Sequence, residues 1–168
     1  MPVTQFLSIA PFTWTQLGSA LLVGLIVGLE RQLRGKPVGI RTSTLITLGT
    51  YIYTVLGAQI TGASVDSSRI IGQIITGIGF IGAGVMLSRD GNVLGVTSAA
   101  TIWVLAAIGV CIGTDRSGLA ILFALVVVGV LSGVEVLENY FQILTRGAYQ
   151  RFSGWKGRKR EDNHPPNH

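Results

Sequence analysis

Charge is scarce in this 168-residue chain, where Asp, Glu, Lys and Arg together make up 12% of positions. That is about half the share of an ordinary soluble domain. Eight acidic and thirteen basic residues do not furnish the polar surface that a water-exposed fold of this length requires, so a soluble domain is excluded. Cysteine is nearly absent as well. The single Cys111 lies in an apolar run, which removes a disulfide framework and a paired-thiolate zinc site from consideration. Both histidines, His164 and His168, fall in a Pro-containing C-terminal end and are not read as metal ligands. The opening MPVTQFLSIAPFTW has no basic residue ahead of its apolar part and no small-residue cleavage pattern, so no secretory signal is read there.

What the chain does have is apolar sequence in lengths that suit a bilayer. No charge occurs from Thr42 to Val65 or from Ser117 to Val134. A bilayer core calls for about 20 predominantly apolar residues per helix. Five windows meet this: Phe12 to Leu29, Thr42 to Ile60, Ile70 to Leu87, Val96 to Gly113, and Leu119 to Leu137. The expected fold is therefore an all-α membrane protein of about five transmembrane helices, with short connections that make consecutive helices antiparallel. Its organisation reads as an external arm over 1–11, a transmembrane domain over 12–138 and a basic cytoplasmic tail over 139–168. The solvent is the lipid bilayer.

Orientation follows from the basic residues, which cytoplasmic loops retain. Eleven of the thirteen mark one side: Arg31, Arg34, Lys36, Arg41 and Arg89 in two loops, and six more in the tail. Arg69 and Arg116 mark the other. The N-terminus is expected outside and the C-terminus in the cytoplasm. The tail interleaves Tyr149, Phe152 and Trp155 with its cations, a pattern suited to anionic lipid, although a topology anchor is the simpler reading. Nucleic acid is not an expected partner.

The 23 glycines fit a membrane protein because small residues let helix backbones approach closely. Ala20, Gly24 and Gly28 recur at four-residue spacing on the first span, Gly109 and Gly113 on the fourth, and Gly129 and Gly133 on the fifth. The third span carries Gly72, Gly77, Gly79, Gly82 and Gly84 around its circumference, which predicts a central position for it. Gly77-Ile-Gly-Phe-Ile-Gly82 matches a dinucleotide fingerprint by letter, yet lies in an apolar run without the strand, helix opening and later acid that the fingerprint requires. A shift of 56 positions lays Gly28, Gly35 and Gly39 on Gly84, Gly91 and Gly95. That suggests a parallel repeat of two hairpins, related about the membrane normal.

Ionisable groups at span ends are the functional candidates, because hydrocarbon penalises them by at least about 2.5 kcal/mol unless they are paired or hydrated. Glu30 and Arg31 close the first span, and Arg41 and Thr42 open the second. Asp66, Arg69 and Gln73 stand at the start of the third. Glu30 and Arg41 flank one loop and either pair across the hairpin or stand as topology charges in water. Hydroxyl residues on spans two to four, Thr42, Ser43, Thr44, Thr47, Thr76, Thr97, Ser98 and Thr101, either line a hydrated crevice or join helices by hydrogen bonds. A magnesium cage of carboxylates is not visible, and any metal ligand set stays unknown. No catalytic triad, zinc set or phosphate loop occurs, so the chain is not read as an enzyme and no cofactor is assigned.

Gly28-Leu-Glu-Arg31, Lys36-Pro-Val-Gly-Ile-Arg-Thr42, Asp66-Ser-Ser-Arg69 with Gln73 and Gly77-Ile-Gly-Phe-Ile-Gly-Ala-Gly84, and Gly95-Val-Thr-Ser-Ala-Ala-Thr-Ile-Trp103 occur in this order. Together they resemble the MgtC/SapB family of bacterial inner-membrane proteins. The resemblance covers roughly Leu21 to Gly113. It implies a multi-pass inner-membrane domain linked to magnesium homeostasis, non-enzymatic, in a short form without the soluble C-terminal domain of many members. In the family's virulence branch the implied partner is the F-type ATP synthase. The rival expectation is a small oligomeric Mg2+ transporter or channel, and homo-oligomerisation suits either reading.

Overall fold

The computed structural model describes residues 9–60, 67–89, 92–134 and 136–137. Asp66, the tail over 139–168 and Gly91 of the suggested repeat lie outside the described residues. The chain separates into two compact units, Met1–Val128 and Gly129–His168. The described part of the second is helical.

In the first unit, α1 (Trp14–Leu33), α2 (Ile40–Ile60), α3 (Ser67–Val85) and α4 (Val96–Gly113) are joined by short connections, with a hairpin of β1 (Leu87–Arg89) and β2 (Asn92–Leu94) between α3 and α4. A further helix, α5, begins at Ser117, and its Ala120 and Ala124 are fully buried. The fold is helical apart from that hairpin. Three of the helices, over Ser68–Val85, Val96–Gly113 and Ser117–Val134, are long and apolar enough to cross a membrane. α1 and α2 are as long but carry more polar residues, Gln16 and the Glu30-Arg31 pair in one and a run of threonines in the other.

Local signals place the helix ends. Thr13, extended at φ −125°, caps α1 by accepting a hydrogen bond from Gln16 N through its side chain. α4 starts at Gly95, whose φ is +88° and whose missing Cβ would stand 2.5 Å from the Val85 carbonyl oxygen. Only glycine satisfies both conditions.

The centre of the bundle is α2. Added Cβ atoms at Gly24 and Gly28 of α1 would run into the α2 backbone at Thr44 and Ile40. Further along α2, a Cβ at Gly109 of α4 would meet Thr47 O and Thr50 Cβ at 2.8 Å, and one at Gly113 would meet Thr54 Cβ at 2.5 Å. The order of these contacts makes α1 antiparallel and α4 parallel to α2. α3 touches α2 where Ile70 packs on Gly57, and its other inward face lies on α4.

The expected central place of the third helix is therefore corrected. Of residues 68–85 only Gly82 is buried, and a Cβ there would meet Ala99 at an ordinary 3.6 Å. At Gly72, Gly77, Gly79 and Gly84 no described atom lies within 4 Å of an added Cβ. Glycine count failed as a guide to centrality because only Gly82 among the α3 glycines is buried on a neighbouring helix, and the others make no close approach among the described residues. The two halves of the suggested repeat also differ: α1 and α2 are linked by an irregular loop and α3 and α4 by the β hairpin, whose register is Leu87↔Leu94, Ser88↔Val93 and Arg89↔Asn92.

Leucine at Gly28 must push α1 off the α2 backbone, so Gly28→Leu is expected to destabilise the protein by at least about 1–3 kcal/mol. Gly79→Leu should leave the thermal unfolding midpoint of detergent-purified monomer unchanged or slightly raised, since leucine is the better helix former. Thermal unfolding followed by circular dichroism compares the two.

Candidate functional site

The C-terminal turn of α1 brings two ionisable residues into the bundle. Glu30 and Arg31 are adjacent in sequence and both are buried, at 8% and 3% exposure. Arg31 donates from Nη2 to Ser98 Oγ on α4 at 2.5 Å and from Nε to the Pro37 carbonyl at 3.4 Å. One guanidinium thereby ties α1, the α1–α2 loop and the first turn of α4 together. Its planar fork of donors suits this better than a lysine ammonium would.

The loop it holds is strained. Val38 is buried with φ +68°, a left-handed conformation that a β-branched residue adopts only when its surroundings over-determine it. Arg31 grips the preceding carbonyl, and Ser43 Oγ donates to the Val38 carbonyl at 3.2 Å. Gly35, at φ +62°, supplies the other left-handed turn residue without steric cost.

Glu30 does not pair with Arg41. Its Oε1 lies 2.7 Å from Arg34 Nε, one turn further along the same helix. Arg41 is exposed on the first turn of α2, and no ion pair to it is found among the described residues. A pair within one helix keeps its geometry whatever the loop does, which a cross-hairpin pair cannot. Glu30 Oε2 is buried without a hydrogen-bond partner. A buried carboxylate oxygen without a donor is costly. Among the described residues no group of three His, Cys, Asp or Glu is placed to hold a metal ion.

The other sequence candidates stand apart from this cluster. Arg69 is exposed at the start of α3. Thr42 and Gln73 are exposed on α2 and α3 and line one apolar groove of about 980 Å³ between those helices. Of the hydroxyls expected to line a crevice or bridge helices, Thr42 lines this groove and Ser98 joins α4 to α1 through Arg31, while others turn back on their own helix. Thr47, Thr50 and Thr54 donate to the carbonyls of Ser43, Ile46 and Thr50 in their own helix at 2.8–3.0 Å. Thr76 and Thr101 do the same to Gly72 and Thr97.

Several residues were not legible as members of a site. Ser98 was one hydroxyl among many, and only the long reach of Arg31 selects it. At the opposite end of the bundle, Tyr51 OH donates to Gln16 Oε1 at 3.3 Å, Gln16 Nε2 donates to Asp115 Oδ1 at 3.3 Å, and Thr13 N donates to Tyr51 OH at 3.4 Å. Tyr51 is fully buried, and its ring meets Phe12 edge to face at 5.7 Å. Gln16 interrupting an otherwise apolar run was the available signal.

Arg31→Met and Ser98→Ala should not be additive, because they remove two ends of one hydrogen bond. The coupling expected from a double-mutant cycle is about 1.5–3 kcal/mol, the range for a bond to a charged group, read from denaturant unfolding in detergent.

The profile of the MgtC family matches residues 17–140. "Protein MgtC" of Brucella abortus is 39% identical over 138 residues, which is 80% of this chain and 57% of that protein. "Putative magnesium transporter YhiD" of Escherichia coli K12 is 39% identical over 127 residues, 71% of this chain and 56% of that protein. "Protein SrpB" of Synechococcus elongatus is 33% identical over 152 residues, 83% of this chain and 82% of that protein. This chain thus spans little more than half the length of the first two relatives. No solved structure matches it. The family match takes in residues 17–140, well over half of the chain and including Glu30, Arg31 and Ser98, so the chain belongs to the MgtC family.

Proposed function

We propose that this protein is a multi-pass component of the bacterial inner membrane, with five spans and a cytoplasmic C-terminus, that serves magnesium homeostasis by contacting another membrane protein. It performs no chemical conversion. By family resemblance alone, the F-type ATP synthase is a partner to test. The observation that supports a contact role over a conducting one is the state of the α2 hydroxyls. Ser43, Thr47, Thr50 and Thr54 are buried, bonded to backbone carbonyls and, for the last three, pressed against Gly109 and Gly113. The polar residues that a path through the bundle would use are thus committed to packing.

A second reading, a small Mg2+ transporter, is favoured by the name of the Escherichia coli relative and by the polar Thr42 and Gln73 in the α2–α3 groove. Purified protein in liposomes loaded with a magnesium-sensitive dye separates the two. The contact reading expects Mg2+ entry no faster than in protein-free vesicles, together with recovery of a specific membrane complex when the tagged chain is purified from native membranes. Mg2+ entry that depends on the protein and falls severalfold in Thr42→Val or Gln73→Leu would establish transport instead.

A further inference from the structure

The α1–α2 loop is held differently from the rest of the bundle. On the α1 side its last backbone bonds run from Gly35 N to Gln32 O and from Lys36 N to Arg31 O, and on the α2 side the first runs from Ser43 N to Gly39 O. Between them Pro37 has no amide proton, and the amides of Val38 and Gly39 donate no hydrogen bond among the described residues. The carbonyls of Pro37 and Val38 are bound by side chains instead, accepting from Arg31 Nε at 3.4 Å and from Ser43 Oγ at 3.2 Å. A long, exposed bond from Ile40 N to Gln32 Oε1 at 3.4 Å adds little. Backbone that elsewhere pairs with backbone here depends on two side chains.

What those side chains hold works against them. Val38 is the buried residue of the stretch from Gly35 to Gly39, and its φ of +68° is one that a branched L residue keeps only under restraint. Of its two restraints, Ser43 belongs to α2 itself. Arg31 is positioned by another helix, since its Nη2 donates to Ser98 Oγ at 2.5 Å. Ser98 lies in the first turn of α4, three residues after Gly95, where an added Cβ would stand 2.5 Å from the Val85 carbonyl oxygen. The hold on the loop is thus seated on the junction of α3 and α4, and one guanidinium joins the two connections.

We propose that residues 37–39 form a strained strap, latched by the bond between Arg31 and Ser98, that opens when the first turn of α4 is displaced. With Ser98 withdrawn, Arg31 loses the contact that aims its fork at Pro37, and relief of the left-handed strain carries Val38 out of the bundle. An event at the α3–α4 junction is thereby converted into a change of loop shape at the same end of the protein. The device stands whether the protein contacts a partner or conducts an ion, because it concerns only how these two connections move together.

The test uses the full chain in lipid nanodiscs, with Cys111, its single cysteine, replaced by serine and Val38→Cys as the probe, which keeps a Cβ at the strained position. Alkylation by a water-soluble maleimide reads how often the strap is open. It is expected to be slow in this background and about tenfold or more faster when Ser98→Ala is added, the factor that corresponds to losing a hydrogen bond to a charged group. Arg31→Lys, which keeps the charge and loses the fork, should accelerate it as well. Thr97→Ala, at an exposed neighbour in the same turn, should not. A probe at Ser19→Cys, buried nearer the other end of α1, should stay slow throughout, which separates opening of the strap from general loosening. Equal rates with and without Ser98 would overturn the proposal, as would fast alkylation while the latch is intact. Parallel acceleration of the Ser19→Cys probe, or an equal effect of Thr97→Ala, would overturn it too.

Discussion

Gly24 and Gly28 of α1, and Gly109 and Gly113 of α4, let three helices meet at distances that no Cβ would permit. Inside a bilayer there is little hydrophobic force to bring helices together, so close packing must do it. Every other arrangement in the first unit leans on that contact. It buries Ser43, Thr47, Thr50 and Thr54 against neighbouring backbone, which obliges their hydroxyls to turn back to carbonyls within reach. It also sets α1 and α4 near enough for Arg31 to reach Ser98.

The two ends of the bundle close by polar networks of different character. At the end with most of the basic residues, a charged guanidinium spans three elements and steadies a strained loop at Val38. At the other end, the neutral chain from Tyr51 through Gln16 reaches Asp115, itself in a left-handed conformation at φ +62°. Both networks gather near helix ends, where a long side chain can reach a partner outside its own helix. Glu30 marks the exception, with one carboxylate oxygen paired and the other left without a donor.

The helical segments were legible because their length and apolar composition are direct demands of the bilayer. The first, second and fourth windows matched their helices closely. So was the family, since Gly-Leu-Glu-Arg and Gly-Val-Thr-Ser-Ala-Ala fall at the two backbone segments that Arg31 joins. The partner of Glu30 was not legible because charges flanking a loop are matched by proximity in sequence, and a helical turn offered Arg34 at a closer and more rigid spacing. The role of α3 was misread because glycine content records an opportunity for close approach and says nothing of which helix takes it.

Sequence alone determined that the chain is a helical membrane protein and where its described helices run, because each follows from transfer of residues between water and lipid one segment at a time. Tertiary structure alone decided that α2 is central, that Thr47, Thr50 and Thr54 turn their hydroxyls back into their own helix, that Arg31 belongs with Ser98, and that the glycines of α3 do not bring it to the centre. These depend on the azimuth of each helix about its axis, and periodicity in a sequence apolar on all sides does not encode which azimuth meets which neighbour.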